Sequence, residues 1–268
     1  MDGFLELKNR YLIVGKLTPD GGLLVGSGRT GGETDATFMK DGVGYVIPGS
    51  SLRGAMRSLV ERIVQTVRPE CGCVLFEEGD DSKCLTAAKP KEQTAFEKKT
   101  WGTEKERWDE LSARLCDICK LFGSPFLASK LKVADSRPLA VTTAQIRHGV
   151  GINRDTETAE DKIKFNFEVV EKGSQFGFRL ELENAGDTDL ALIGILLREM
   201  TDRGIYLGGK KSRGLGLVRL ERGYTVRGFE CLRAFLLLKE REMPEVTAAF
   251  EARAERAIEE FLAVTHAA

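Results

Sequence analysis

Histidine is scarce in this chain: only His148 and His266 occur among its 268 residues. Catalysis that needs a histidine pair as general acid and general base is therefore not favoured. The chain also lacks any run of about eighteen apolar residues, and its N-terminus lacks a basic region followed by an apolar one. These absences indicate neither membrane insertion nor secretion, so we expect a cytoplasmic protein without a membrane partner.

An excess of charge of one sign is missing as well. The 40 lysines and arginines are balanced by 41 aspartates and glutamates, which gives a net charge of −1. A protein that coats duplex DNA through bulk electrostatics is strongly basic, so any nucleic-acid site here must be local. The length and the 42% hydrophobic content support one large domain, or a domain with insertions, around a real core.

Cysteine is unevenly distributed, because five of the six residues lie between Cys71 and Cys119. In a chain without a secretory signal, such grouping is more typical of metal ligands than of disulfides. A tetrahedral zinc site needs four ligands, and the five candidates are Cys71, Cys73, Cys84, Cys116 and Cys119. The C-x₂-C spacing lets Cys116 and Cys119 reach one ion. Cys84 joins them, and Cys71 and Cys73 compete for what remains. We expect a structural Zn²⁺; the alternative is a set of free, buried cysteines.

The segment Gly208–Gly216 combines three cations and four glycines in nine residues. Glycine lets a backbone adopt positive φ and approach another backbone closely, and lysine and arginine supply charge and donors for phosphate oxygens. We interpret the segment as a phosphate-binding loop. The alternative is a glycine-rich turn with incidental solvated charges.

A nucleotide-hydrolysing P-loop is a poor interpretation of this segment, although Gly204 to Lys211 nearly matches G-x-x-x-x-G-K-[ST]. Lys211 stands where a hydroxyl should bind Mg²⁺, and the pattern must follow a strand and open a helix. Here a helix precedes the loop, from an N-cap at Thr188 to a stop at Gly204, with apolar positions Leu190, Ile193, Leu197 and Met200. A buried strand around Leu215–Leu220 follows it.

The start of an earlier helix is a second candidate for anion binding. Ser50 and Ser51 are expected to cap this helix. Arg53 and Arg57 lie within its first two turns, where the positive end of the helix dipole disfavours cations. A bound phosphate would explain their placement, because N–H groups, dipole and guanidinium groups would converge on it. The alternative is that Glu61 and solvent satisfy Arg57.

Hydrophobic periodicity predicts the order strand, helix, strand, strand, helix, strand. The first strand covers Arg10–Leu17, and Lys40-Asp41-Gly42 makes a short hairpin before a return strand at 43–47. Alternating residues at 163–170 and 176–182 predict a β-hairpin with one buried face. The order is that of an α+β, ferredoxin-like (RRM-like) βαββαβ fold.

Two insertions interrupt this core. Residues 68–123 carry the clustered cysteines and show little hydrophobic periodicity, and residues 146–163 form a hydrophilic excursion that should protrude. A strand is expected at 131–134, and an amphipathic helix at 244–264.

Four motifs occur in register: Ile47–Gly54, Cys116–Gly123, Arg147–Arg154 and Gly208–Gly216. Together they resemble the RAMP backbone subunits of type III CRISPR effector complexes, particularly the subunit whose copies form a filament along the guide RNA and cut target RNA. The resemblance spans Tyr11 to Leu220. It implies a single RAMP domain over residues 1–268, in which 68–123 is the zinc-binding insertion and 146–163 a protruding β-hairpin thumb.

The resemblance further implies the partners: guide CRISPR RNA, complementary target RNA, and other subunits of the effector complex, including copies of this chain. The implied RNA contacts are Ser50, Ser51, Arg53 and Arg57 at the helix start, Gly209, Lys210, Lys211, Ser212 and Arg213 in the glycine loop, and Ile152 and Asn153 on the thumb. Phosphate contacts of this kind fix register without reading base identity.

Cutting in the family resembles metal-dependent RNA scission by an aspartate in the loop after the first strand, a position matched here by Asp35. A carboxylate can recruit a divalent cation, expected to be Mg²⁺, or orient the ribose 2′-hydroxyl for attack. Without the resemblance, a surface aspartate that caps a turn is the simpler interpretation. Two other functions stay open: a non-catalytic guide-RNA-binding structural subunit, and a ribonuclease that processes guide precursors.

Overall fold

A computed structural model describes residues 6–26, 36–73, 84–237 and 242–263. It is a mixed α/β structure built on one antiparallel sheet of six strands. The central strand, β1 (Arg10–Pro19), alternates apolar residues and buries Tyr11, Ile13 and Leu17. The predicted first strand is confirmed, and it extends two residues further.

Three short strands at 40–41, 44–45 and 131–133 follow β1 along the chain. The first two, β2 (Lys40–Asp41) and β3 (Gly44–Tyr45), form the predicted hairpin. The third, β4 (Leu131–Val133), lies where a strand is expected.

The 19-residue helix α1 (Gly49–Val67) lies between β3 and β4 in the chain. Its buried side chains recur every four residues, at Leu52, Met56, Val60 and Val64, so one face packs into the core. The predicted N-cap is wrong: α1 begins at Gly49, and Ser50 and Ser51 lie exposed in its first turn. The N–H of Gly49 donates instead to Asp135, 2.7 Å away, a residue that is remote in sequence.

About half of the described residues between α1 and β4 are helical. This segment holds a 3-10 turn and the helices α2 (Pro90–Lys98), α3 (Glu104–Ala113) and α4 (Asp117–Phe122). These helices belong to the same buried cluster as α1, through side chains such as Phe96, Leu111 and Phe122.

The strands β5 (Ala144–Ile152) and β6 (Ala159–Val170) form a separate two-stranded hairpin. The predicted pairing of 163–170 with 176–182 is therefore wrong. The latter segment is β7 (Phe176–Glu183), which lies between β4 and β1 in the large sheet. Alternation identified the buried faces of both segments, but it carries no information about which strand each one pairs with.

The 16-residue helix α5 (Asp187–Asp202) follows β7; the predicted helix and its apolar face are confirmed, but it begins two residues earlier than predicted. Its N-cap is Gly186 rather than Thr188, and the Gly186 N–H donates to the Asp189 carboxylate at 2.9 Å. The short strand β8 (Ile205–Tyr206) and the strand β9 (Leu217–Leu220) flank the glycine loop. The order in the sheet is β4-β7-β1-β9-β8.

The C-terminal part adds β10 (Thr225–Phe229), α6 (Leu232–Leu236) and α7 (Thr247–Ala263). The strand β10 pairs with the first half of β1, on the edge that β9 uses further along. The helix α7, predicted from periodicity, packs on α5, and its Phe250 ring meets Tyr11 edge-on at 5.2 Å. Within the described ranges, no helix combines the length and the apolar character needed to cross a membrane.

Candidate functional site

Four of the five clustered cysteines come together. The Sγ atoms of Cys73, Cys84, Cys116 and Cys119 all lie within 4.8 Å of one another. The Cys116–Cys73 and Cys73–Cys119 sulfur distances are 3.6 and 3.7 Å. Zinc–sulfur bonds of about 2.3 Å in a tetrahedron place the sulfurs about 3.8 Å apart, so this spacing suits a bound metal ion.

Cys71 stands apart from this four-cysteine group. Its thiol lies against the carboxylate of Glu70, and its pKa is raised to about 12 by burial and by the nearby Asp117 carboxylate. Within the group, hydrogen bonds from Cys116 and then Cys73 lower the pKa of Cys119 to about 7. Hydrogen bonds from Cys116 likewise lower the pKa of Cys84. The same network raises the pKa of Cys73, chiefly through its hydrogen bond with Cys116, and raises that of Cys116, chiefly through its hydrogen bond with Cys119, so the four thiols titrate as one group.

Arg57 reaches from α1 to the cysteine group. Its Nη2 donates to the Cys119 Sγ at 3.3 Å, its Nη1 to the Gly123 carbonyl at 3.0 Å, and its Nε to Glu61 at 2.7 Å. Arg53 donates to the carbonyl of Phe122. Both arginines therefore bind the end of α4, and a guanidinium that faces thiolates offsets negative charge there.

The backbone of the glycine loop packs directly against the residues that follow β1. Gly208 has a φ of +72°, and a Cβ there would overlap the carbonyl oxygen of Leu24. That carbonyl accepts the Gly209 N–H at 2.9 Å, and the Gly216 N–H donates to Gly22 at 2.9 Å. The glycines thus allow the close backbone approach that the sequence suggests.

The cations of the loop divide into two kinds. The Lys210 ammonium lies over the rings of Phe165 and Phe167, 4.1 and 4.5 Å from their centroids. The Arg213 guanidinium lies 5.6 Å from the Phe165 ring. Lys211 is exposed and forms no ion pair with any acidic residue that the structure describes. Lys210 therefore ties the loop to β6, whereas Lys211 is available to solvent.

The β5–β6 hairpin presents apolar side chains to solvent. Ile152, near the turn, is 64% exposed, and Ile146 and Val150 are exposed on the same face of β5. Asn153 begins the turn: its Oδ1 accepts from the Asp155 N–H at 2.9 Å. Such an Asx turn gives the asparagine a conformational role.

The base of the hairpin holds the residue next to Asp35. Asp35 itself lies outside the described residues. The N–H of Ala36 donates to the Asn166 carbonyl at 3.3 Å, and the Ala36 carbonyl accepts the Glu168 N–H at 2.9 Å. Ala36 and Phe165 pack on a small buried cluster separate from the main core; its members are Leu24, Phe167, Val169 and Leu215. This cluster joins the chain after β1, the hairpin base and the glycine loop.

The family model for the RAMP superfamily matches residues 16–219. The chain belongs to the RAMP superfamily. It is also similar to a protein of Methanothermobacter thermautotrophicus named CRISPR system Cms endoribonuclease Csm3. The identity is 26% over an alignment of 255 positions, and the match covers 81% of this chain and 86% of that relative.

Some residues that organise the site of this RAMP protein do not stand out in its sequence. Glu168 accepts from the Phe38 N–H at 3.0 Å, from Lys40 at 2.7 Å and from the Tyr45 hydroxyl at 2.9 Å. His148 Nδ1 lies 2.7 Å from Asn166 Oδ1 across the hairpin. The alternation around Phe167 marks a buried face, but the partners of these polar groups are more than a hundred residues away or on the other strand.

Proposed function

We propose that this chain is a backbone subunit of a type III CRISPR effector complex, which binds guide RNA and cuts complementary target RNA at regular intervals. Membership of the RAMP superfamily and the likeness to a protein named an endoribonuclease support the class. The observation that carries the site is the small cluster around Phe167, which brings the glycine loop, the thumb and the residue next to Asp35 together.

The glycine loop is the proposed grip on the guide backbone. Lys210 braces the loop on the hairpin rings, so Lys211, Ser212 and Arg213 are held on a fixed frame and exposed. Gly209 completes this set, and the exposed Ser50 and Ser51 on α1 are proposed as further contacts. Contacts of this type bind sugar and phosphate and are indifferent to sequence, as a guide-binding filament requires.

The thumb is the proposed wedge into the guide–target duplex. An exposed apolar side chain such as Ile152 can enter between bases, at a cost of a few kcal/mol of unstacking, offset by contacts along the bent duplex. Asn153 shapes the turn beside it. Regular displacement of one nucleotide would set regular intervals between cuts.

Asp35 is the proposed catalytic residue. Its successor, Ala36, is hydrogen-bonded to the thumb base, so cutting would occur where the thumb meets the duplex. A carboxylate there can orient the ribose 2′-hydroxyl for attack on the phosphate. A divalent cation, proposed to be Mg²⁺, would stabilise charge on the phosphate oxygens.

The test is cleavage of guide-complementary RNA by assembled complexes. Asp35→Ala and Asp35→Asn should slow cutting about 100-fold or more while guide and target binding stay unchanged. Glu97→Gln, which removes an exposed carboxylate on α2, is the matched control and should cut at the parent rate. Equal cutting by parent and Asp35 variants would refute the assignment. A parent complex that binds both RNAs without cutting would identify the non-catalytic structural subunit instead.

The four-cysteine group is the proposed zinc site. Four sulfurs close the coordination shell and leave no position for water, so the ion would be structural and would hold the end of the 68–123 segment. Purified parent protein should contain one zinc per chain. Cys84→Ser should lose it, whereas Cys71→Ser and the exposed-site control Cys231→Ser should keep it. Zinc-free parent protein would establish the free-thiol alternative.

The core is proposed to be ferredoxin-like within a single RAMP domain, in which 68–123 and 146–163 are insertions. The order β4-β7-β1-β9, with α1 and α5 as the two connecting helices, supports this arrangement.

A further inference from the structure

A cavity of about 400 Å³ lies between α1 and the start of the glycine loop. Ser58, Leu59 and Arg62 line it from α1, and Ile205, Tyr206 and Lys211 line it from β8 and the loop. The two segments that were predicted separately to bind phosphate thus share one concave surface. Its residues on α1 lie further along the helix than the predicted contacts at Ser50 and Ser51.

The charges around this cavity are of one sign. Arg62 and Lys211 contribute two cations, and no carboxylate lines the cavity. Neither cation forms an ion pair with an acidic residue in the described ranges. Each of the other three cavities described has acidic residues in its wall; the one between α5 and α7, for example, includes Glu251 and Glu255. This distribution favours an anionic ligand.

An exposed aromatic ring stands beside the two cations. Tyr206 is 50% exposed, although its strand neighbour Ile205 is buried and anchors β8 to β9. Among the described residues, Tyr206 belongs to neither of the two buried apolar clusters. A ring next to cations offers a stacking face for a nucleobase, with donors for its phosphates within reach.

We propose that this cavity binds one nucleotide of single-stranded RNA, with the base stacked on Tyr206 and the adjoining phosphates held by Arg62 and Lys211. Ser58 supplies a hydroxyl for sugar or phosphate oxygens. Duplex RNA fits poorly, since its bases are already stacked inside the helix. The proposal rests on the proposed function, and it adds Tyr206 and Arg62 to the guide-binding surface.

The test compares the binding of two probes to the purified full chain by fluorescence anisotropy: a short single-stranded RNA and an abasic strand of the same length. Tyr206→Ala should weaken binding of the RNA at least about fivefold, the loss expected for one stacked base, and leave the abasic strand unaffected. Tyr206→Phe, which keeps the ring, should bind both probes as the parent does. Unchanged unfolding midpoints in urea show that the variants are folded.

The cations are tested in the same assay. Arg62→Ala and Lys211→Ala should each weaken both probes and flatten the salt dependence by about 0.7 in log–log slope. Arg203→Ala, an exposed arginine paired with Glu199, is the matched control and should change neither. Equal RNA binding by parent and Tyr206→Ala would overturn the stacking site while leaving the proposed function standing. A parent chain that binds neither probe would overturn both.

Discussion

The N-terminal half of α1 and the glycine loop both combine closely spaced cations with backbone N–H groups, yet the two regions use these cations differently. On α1, Arg57 is only 13% exposed and its guanidinium is hydrogen-bonded to three protein groups. In the loop, Lys210 and Arg213 lie over aromatic rings, whereas Lys211 faces solvent. Cation spacing therefore indicates an anion site only where the surrounding protein leaves the charges unsatisfied.

The Asp135 carboxylate sharpens this contrast. It accepts the Gly49 N–H at the start of α1, where a phosphate was expected to bind. A carboxylate at a helix N-terminus satisfies the same donor and the same dipole that would attract an anion. The RNA contacts predicted for Arg53 and Arg57 stay predictions, and both side chains have an alternative role as links between α1 and α4.

The largest expected effect is a loss of stability when the close contact between the glycine loop and Leu24 is disrupted. Gly208→Ala should destabilise the protein by about 3 kcal/mol or more, because the new Cβ would overlap the Leu24 carbonyl and φ is +72°. Gly214→Ala is the matched control: φ is +78° but the space is open, so only about 1 kcal/mol is expected. Urea unfolding measures both. Similar losses in the two variants would show that the loop does not depend on its contact with Leu24.

Arg57→Ala should destabilise the protein by about 2 kcal/mol, since it removes a charged donor from Glu61, Gly123 and Cys119. The protein should also retain less zinc through dialysis against a chelator. The salt dependence of RNA binding should stay unchanged. A slope that falls by about 0.7 would show instead that Arg57 contacts a phosphate, and the contrast between the two regions would fail.

A substitution at Glu168 tests the part of β6 on which the glycine loop packs. Glu168 follows Phe167, whose ring contacts Lys210 of the loop. Burial alone would raise its pKa, but hydrogen bonds from Lys40, Tyr45 and the Phe38 N–H outweigh burial, and the pKa lies below the ordinary 4.5. A depressed carboxyl pKa contributes stability above the ordinary value, and this contribution is lost as the pH falls through the folded-state pKa. Glu168→Gln should therefore cost about 1 kcal/mol at neutral pH and nothing in acid below that pKa. Urea midpoints across pH measure the difference; a cost that persists unchanged in acid would contradict it.

The smallest expected effect on stability comes from removing the hydroxyl of Ser212, an exposed residue of the glycine loop. Ser212→Ala should leave stability unchanged and weaken RNA binding about tenfold, since a hydrogen bond from a hydroxyl to a charged phosphate contributes about 1.5 kcal/mol. Its salt slope should equal that of the parent, because no charge is lost. Binding titrations at several salt concentrations provide the measurement, and a changed slope would mean that the loop itself had moved.

The sequence was sufficient where local periodicity decides the structure. The strand at Arg10, the helix after Pro48 and the helix before Gly204 were all predicted, because each buries a regular stripe of apolar residues. Both N-caps were wrong for one reason. Serine and threonine are good caps, but here Asp135 and Gly186 provide the ends, and only the fold brings Asp135 near Gly49.

Pairing across the fold was the least predictable property. The segment 163–170 alternates as a strand should, but its partner is β5 rather than β7. Prediction of the metal ligands had the same limit. Spacing identified Cys116 and Cys119, but the choice of Cys73 over Cys71 depends on the direction in which the 3-10 turn after α1 points each thiol. The small cluster around Phe167 joins three segments that are distant in sequence, and no local pattern shows that they meet.

The hydrogen bonds between Ala36 and the hairpin base lie next to a backbone bridge between Gly26 and Phe38. Met39 donates to the Val25 carbonyl at 2.8 Å, so the chain is closed by backbone hydrogen bonds on either side of the segment between them. Ala36 lies just before the second of these points, and its N–H and carbonyl bond to Asn166 and Glu168 on β6. The closure and the hairpin base therefore share one short stretch of backbone. A residue inserted between Ala36 and Phe38 would move one of the two sets of bonds out of register, so the length of this stretch is fixed by the frame on both sides of it.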